Sequence, residues 1–517
     1  MRHPLRRRLR AAGRPLPAAE PDPQRAVPHP VIVGVAQATW RDAGAPDPIE
    51  MCAEVVAAAA GDAGAGGALL RRAGSLGVVD IASRRWSDPA ALVAARLGLE
   101  PRERLRTTLG GDGPQVLLSD MCSRIAEGAL DVGIVCGAEA LATLAAAMKA
   151  GAEPDWPALD EGAAPTRVLG SERFPASDAE VAANLIAPVA MYPLFESALW
   201  AERGGTIDAH RARLGELWAR FAQVAAANPH AWWRGAIPSA KEIATPGPHN
   251  RLVTQPYPKL LNSNIQTDQA AALIVCSDEL ARELGVDRDR WVHVLAAGHA
   301  CDHWTVSERE DLHSSPAIRF AGRGALAGAG VTIDEVAHLD IYSCFPSAVQ
   351  IACRELGVDP WTDARAPTVT GGLTFAGGPG NNYVTHALAA MAVRLREDPG
   401  ALGLTTAVGW YLTKHATCVL GGGQPRRGFT AANVQAQVDA TPRREAAAGI
   451  AGAATGEAAS IVYGRDGAPA VASVTALLDD GRRTVASSGD AGVLAAIVDA
   501  PLAGRQLHLD GAGGFTL

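Results

Sequence analysis

Apolar residues recur along this chain in two alternating rhythms. Val31-Ile-Val-Gly-Val-Ala36, Val132-Gly-Ile-Val-Cys-Gly137, Ala270-Ala-Ala-Leu-Ile-Val-Cys276 and Trp291-Val-His-Val-Leu-Ala-Ala297 are short continuous apolar runs, the pattern of strands buried on both faces. Helical stretches separate such runs: Pro48 precedes an Ala- and Val-rich helix over 49–63, and a strand over 76–81 is followed by Pro89 and another helix. Strands alternating with helices predict a parallel, layered α/β core. Its second half runs from Trp291 through Leu339-Asp-Ile-Tyr342, a helix, the Gly-rich stretch 371–380 and a helix from Asn382, closing near Leu420. Both halves open with a short apolar strand and later place a Gly-rich turn before a long helix, which hints at internal duplication.

Two segments break the rhythm. Residues 151–180 carry Pro154, Pro157, Pro165 and Pro175, and beyond them Leu214, Leu217, Trp218, Phe221 and Val224 recur at helical spacing. This reads as an inserted helical lobe whose stripe is packing. From about residue 429, short strands at 459–463, 471–478 and 506–509, with Arg465-Asp-Gly and Asp480-Gly turns, predict a small β domain.

Charge and cysteine usage narrow the function. The net charge is −8, and residues 1–30 contribute +5 of it, so the remainder is acidic and nucleic acid is a poor partner. The eight Cys form no Cys-x-x-Cys pair, consistent with a reducing cytoplasm, and no apolar run reaches the ~18 residues of a membrane span. Residues 1–28 read as a disordered tail or an overextended start. The nucleotide motifs fail: Gly111-x-Gly113 meets Val116 where a dinucleotide fingerprint needs Gly, and no Gly-Lys-Ser/Thr step exists.

Four places carry candidate chemistry. Gly110-Gly-Asp-Gly-Pro-Gln115 predicts a strand, tight turn and helix start, with Asp112 as cap and free N–H groups for an acyl oxygen. In Tyr342-Ser-Cys-Phe-Pro-Ser347 a helix start would pull the Cys344 thiol below its usual pKa of about 8.5, making it a candidate base or nucleophile beside Tyr342; a buried, inert Cys is the equal alternative. Gly377-Gly378-Pro379 opens another turn before a helix. Tyr411-Leu-Thr-Lys-His415 sets Lys414, one of four Lys, beside His415 as acid or oxyanion donor. His299-x-Cys301-x-His303 has metal-ligand spacing on one strand face, yet reads more simply as the flank of a strand end, and no metal is expected.

The order and spacing of these motifs resemble the thiolase superfamily, sterol-carrier-protein type, and most closely the group called thiolase-like protein type 1, often labelled acetyl-CoA acetyltransferase. The resemblance runs from about Val31 to Phe429 and extends to the C-terminal domain. It implies a duplicated layered αβαβα core with an inserted helical lobe plus a small OB-like β domain: a basic tail 1–30, an N-terminal half 31–290 with the lobe at about 142–255, a C-terminal half 291–428 and an added domain 429–517. It also implies acyl-CoA or a related thioester in lipid metabolism as substrate or ligand, no separate cofactor, and a monomer or homodimer.

Carried over by position, the family's nucleophile loop falls on Gly110 to Gln115, where no Cys stands. Its His-Asp-Cys-Phe loop is similar to Tyr342-Ser-Cys-Phe345 without the His, and its Gly-His-Pro loop to Gly377-Gly378-Pro379, again without the His. The C-terminal Cys loop falls near 414–423, which makes Cys418 its candidate mimic. Thiolysis through an acyl-cysteine is therefore not expected. Three readings stay open: an acyltransferase using Cys344 with His415 or His386 moving protons; a retro-aldolase on a β-hydroxyacyl-CoA using Tyr342; and a non-catalytic acyl-CoA or lipid-binding protein. Gly110, Gly111, Gly113, Gly377, Gly378, Pro379 and Lys414 are the expected substrate-binding positions.

Overall fold

The computed structural model describes residues 28–41, 44–159 and 162–517, so the expected basic tail falls, up to residue 27, outside the described residues. Two sheet halves repeat one pairing pattern. In the first, Pro30–Thr39 lies antiparallel to Asp268–Ser277, which lies antiparallel to Val132–Ala140, and this strand runs parallel to Ala73–Val78. In the second, Val292–Cys301 lies antiparallel to Lys414–Gly421, which lies antiparallel to Leu402–Gly409, and this strand runs parallel to His338–Asp340. The opening strands of the halves touch edge to edge at Val31–His293 and Ile32–Val292. Each opening strand also carries a glycine pressed on an outer helix, Gly34 against Ala59 O and Gly298 against Ala321 O, where a Cβ would collide with backbone. The duplication is thus visible in pairing and packing alike.

The apolar runs are strands because both faces are covered. Val31 and Val33 join the core under the outer helix Pro48–Asp62, and Ile32 and Val35 join the central core. The helices Gly113–Ala126 and Tyr383–Glu397 touch both sheet halves and form the middle layer, and Pro316–Ala329 covers the far side. Helix, sheet, helix, sheet and helix therefore stack as five layers.

The lobe contains the helices Pro188–Arg203 and Ile207–Ala227. Its predicted stripe packs as expected: Leu214, Leu217, Trp218 and Phe221 are buried, and Trp218 Nε1 donates to Thr374 Oγ1 at 2.9 Å. Within the same insertion, Arg167–Leu169 forms a short strand parallel to Glu103–Thr107 and extends the core sheet.

The C-terminal unit joins Ala451–Tyr463, Pro469–Leu477, Arg483–Ser488, Gln506–Asp510 and Phe515–Thr516, with the helix Ala491–Ile497 between the third and fourth strands. The first strand pairs with the second and fourth, and a parallel bridge from Ser487 to Gly514 closes the ring. Buried Arg483 clamps it to the core: its guanidinium holds Glu457 at 2.6 and 2.7 Å and donates to Arg309 O. Thr430–Asn433, which a boundary at 429 gives to this domain, instead pairs parallel with Val292–Cys301 of the core. Among the described residues no helix is long and apolar enough to cross a membrane.

Candidate active site

The helix Gly113–Ala126 begins where the two halves meet, because the strand Glu103–Thr107 delivers the Thr108–Asp112 turn to that junction. Asp112 does not cap this helix. Its backbone is already helical and its side chain accepts no amide proton there; Oδ1 stands 3.1 Å from Lys414 Nζ. The ammonium also donates to Leu109 O at 2.7 Å. Gly110 has φ +147°, and a Cβ on it would lie 2.5 Å from Lys414 Nζ. The space for a side chain at position 110 is therefore filled by a buried ion pair, which needs its hydrogen bonds and its partner to offset desolvation.

Tyr342 closes the next position, since a Cβ on Gly111 would meet the Tyr342 hydroxyl and stand 2.7 Å from Val408 O. Burial, with the nearby Cys344 and Asp112, raises the Tyr342 phenol well above its ordinary value, so it is an O–H donor at neutral pH. Cys344 behaves opposite to the helix-start expectation. Burial pushes its thiol up to about 12 against a hydrogen bond with Tyr192 that lowers it. The helix starts only at Pro346, and desolvation dominates.

The third turn joins the first through a side chain the sequence reading passed over. Gly110 N–H donates to Asn381 Oδ1 at 2.9 Å, and Asn381 Nδ2 donates to Asp80 O at 2.9 Å. Gly378 N–H donates to Asn264 O at 2.9 Å and Gly113 N–H to Gly110 O at 3.1 Å, so these amides serve the turns and not a ligand. The tandem Asn381-Asn382 was the available signal for this contact.

The hairpin Trp410–Thr413 delivers Lys414 under strain. Trp410 and Leu412 hold φ of +58° and +54°, a conformation costing a bulky residue about 1–3 kcal/mol. Tyr192 clamps it, donating from its hydroxyl to Trp410 O at 2.7 Å and accepting from Leu412 N at 3.3 Å, and Arg309 donates to Thr413 Oγ1 at 3.0 Å. Arg309 O is the carbonyl held by Arg483, so the added domain braces this hairpin.

Other predicted residues are placed differently. His415 Nε2 stands 3.4 Å from Asp302 Oδ2, a carboxylate that also accepts from Ser315 Oγ. His386 lies apart, bonded through Nδ1 to Gln37 Oε1 at 3.0 Å, and burial drives its pKa down to about 3. Cys418 is mid-strand, opposite Thr405 and Ala297, with its thiol pushed up to about 12 by burial, and is no loop mimic. No group of three or more potential metal ligands occurs among the described residues. His299 bonds Ser119 Oγ at 2.8 Å while His303 bonds Thr441 Oγ1 at 3.2 Å. Beside Lys414 opens a cavity of about 440 Å³, lined among others by Asp112, Ser119, His299, Cys301 and His415.

A five-layered duplicated core with its glycine turns converging at the junction of the halves defines a thiolase-like protein. More particularly, residues 433–513 match the family model for the thiolase-like protein type 1 additional C-terminal domain, so the thiolase-like core carries that domain. A monomeric SCP2-thiolase-like protein type 1 from Mycobacterium smegmatis superposes with a TM-score of 0.82 at 29% identity, covering 96% of this chain and 100% of that one. An acetyl-CoA acetyltransferase of Methanocaldococcus jannaschii is 25% identical over 272 residues, 52% of this chain and 60% of that protein's length. An Ltp2–ChsH2(DUF35) aldolase shares the fold alone, with a TM-score of 0.57 at 19% identity over 77% of this chain and 98% of that one.

Proposed function

We propose that the protein binds acyl-CoA or a related thioester at the Gly110–Gly113 turn and acts on it, where it turns over, by proton transfer and not through an acyl-cysteine. The observation that carries this reading is the Lys414 ammonium in the space where a residue-110 side chain would project. A lysine held beside a carboxylate there favours a thioester oxygen carrying negative charge, and offers no attacking sulfur. The relatives named above support the substrate class.

Within this reading, carbon–carbon cleavage of a β-hydroxyacyl-CoA is favoured by Tyr342. Its neutral O–H faces the same turn and suits protonation of the α-carbon as the Cα–Cβ bond breaks, the phenolate so formed recovering the proton that the β-hydroxyl gives up as it becomes a carbonyl. The added barrel reads as OB-like from its strand order, and a role in lipid metabolism follows from the same resemblance.

Incubation with acyl-CoAs from acetyl to palmitoyl, read by calorimetry and intact-protein mass, tests the proposal. The expected result is binding with no acyl adduct on any cysteine; an adduct mapped to Cys344, or no binding by any member, overturns it. Tyr342→Phe is expected to retain binding and abolish β-hydroxyacyl-CoA cleavage, and binding without cleavage in the parent protein reduces the reading to an acyl-CoA carrier.

A further inference from the structure

The cavity beside Lys414 holds a pair of side chains that the acyl-CoA reading leaves unused. Ser119 lies on the second turn of the helix Gly113–Ala126, and His299 lies on the strand Val292–Cys301 of the other half. A serine inside a helix ordinarily returns its hydroxyl to the carbonyl four residues back, as Ser123 does to Ser119 O at 2.9 Å. Ser119 instead reaches across the junction, with its Oγ 2.8 Å from His299 Nε2, and both residues line the cavity of about 440 Å³. We propose that Ser119 and His299 form a hydrolytic dyad, nucleophile and general base, for a small acyl ester or thioester admitted to this cavity.

The surroundings suit that chemistry. Burial lowers the His299 pKa, keeping the ring neutral and able to accept a proton at pH 7, and the Asp112 carboxylate opposes that shift and so favours the imidazolium formed during reaction. In the sheet register His299 faces Ala416 and Cys301 faces Lys414, so His299 and Lys414 share one face of the sheet a two-residue step apart, about 7 Å. Lys414 donates to Leu109 O and stands in an ion pair with Asp112, which leaves N–H groups of the ammonium as donors for an oxyanion. The cavity of about 440 Å³ has room for a short acyl group and the start of its leaving group.

The reaction closes without a further co-reactant than water. The Ser119 Oγ proton passes to His299 Nε2 as Oγ bonds the acyl carbon; the bond to the leaving thiol or alcohol breaks, and that group takes the proton from His299. Water, deprotonated by His299, then attacks the acyl-serine, releasing the acid and restoring Ser119.

The test uses the full chain with p-nitrophenyl acetate and butyrate and with a fluorophosphonate probe mapped by peptide mass spectrometry. The expected results are a probe adduct on Ser119 and a fall in hydrolysis of at least about 100-fold in both Ser119→Ala and His299→Gln. Ser119→Cys, which keeps a nucleophile against His299, is expected to accumulate an acyl-thioester adduct, and this guards against a folding defect in the other variants. Absence of an adduct at Ser119, or hydrolysis undiminished in Ser119→Ala, overturns the dyad. The dyad does not rest on acyl-CoA binding, which calorimetry on Ser119→Ala measures separately: lost hydrolysis with retained acyl-CoA binding separates the two sites of action.

Discussion

The ammonium of Lys414 stands 2.5 Å from the point at which a side chain on Gly110 would begin. Restoring a cysteine there therefore restores no thiolase. Gly110→Cys is expected to show no thiolysis and a lowered melting temperature, since φ of +147° strains an L-residue and the lysine end must move aside. A Cβ at 110 would also lie 2.4 Å from Asp112 Oδ1, so only Gly110→Cys combined with both Asp112→Ala and Lys414→Ala removes the collision without stranding a charge, and it should regain part of the loss; a single variant melting like the parent protein would refute this.

The Lys414–Asp112 pair makes a second expectation. Lys414→Met strands a buried carboxylate and should cost about 3 kcal/mol in urea denaturation, with part recovered by adding Asp112→Asn. A cost below about 1 kcal/mol would mean that water, and not Lys414, solvates Asp112.

Cysteine reactivity separates burial from the helix start. Cys344 is pushed up to about 12, and Cys301, the one thiol of the eight that is not buried, to about 11 by burial and by Asp112. Iodoacetamide near pH 7.5 should alkylate Cys301 first and slowly, with Cys344 protected until unfolding. Peptide mapping that finds Cys344 modified before Cys301 contradicts this.

His386 makes stability depend on pH in a defined direction. Its folded pKa, about 3, lies below the ordinary ~6.5, because burial and the nearby His230 disfavour its charged form. As pH falls below 6.5 the unfolded chain gains a proton that the folded chain refuses until about pH 3, so stability declines with acidity across that window. Between pH 6.5 and 5 the loss is about 2 kcal/mol, and His386→Gln should decline less by that amount in paired urea titrations.

The sheet edge bears on assembly. The strand Glu103–Thr107 is covered by the chain's own Arg167–Leu169, held by Arg167 on Asp120 at 2.6 Å, so that edge offers no ladder to a second copy. Sedimentation is expected to show a monomer at micromolar concentration; a dimer whose hydrogen exchange protects 103–107 further would overturn this.

Much of the fold was legible because burial on both faces writes itself as continuous apolar runs. The strands at Val31, Val132, Ala270 and Trp291, the Trp218 stripe and the glycine turns all fell where periodicity and turn chemistry put them. The short strand Arg167–Leu169 was not legible, since three residues among prolines have no period to read. Nor was the ring closure by Ser487 and Gly514, a contact between distant segments.

By itself the sequence determined where the long buried strands and the glycine turns fall and that position 110 bears no thiol, because backbone preferences and side-chain identity are local. Only the tertiary structure decided what each reactive group faces. Cys344 is silenced by burial, Asp112 turns from its helix to Lys414, and Ser119 meets a histidine 180 residues away. Solvation and the approach of partners from separate strands are set by packing, and packing exists only once the two halves have closed on one another.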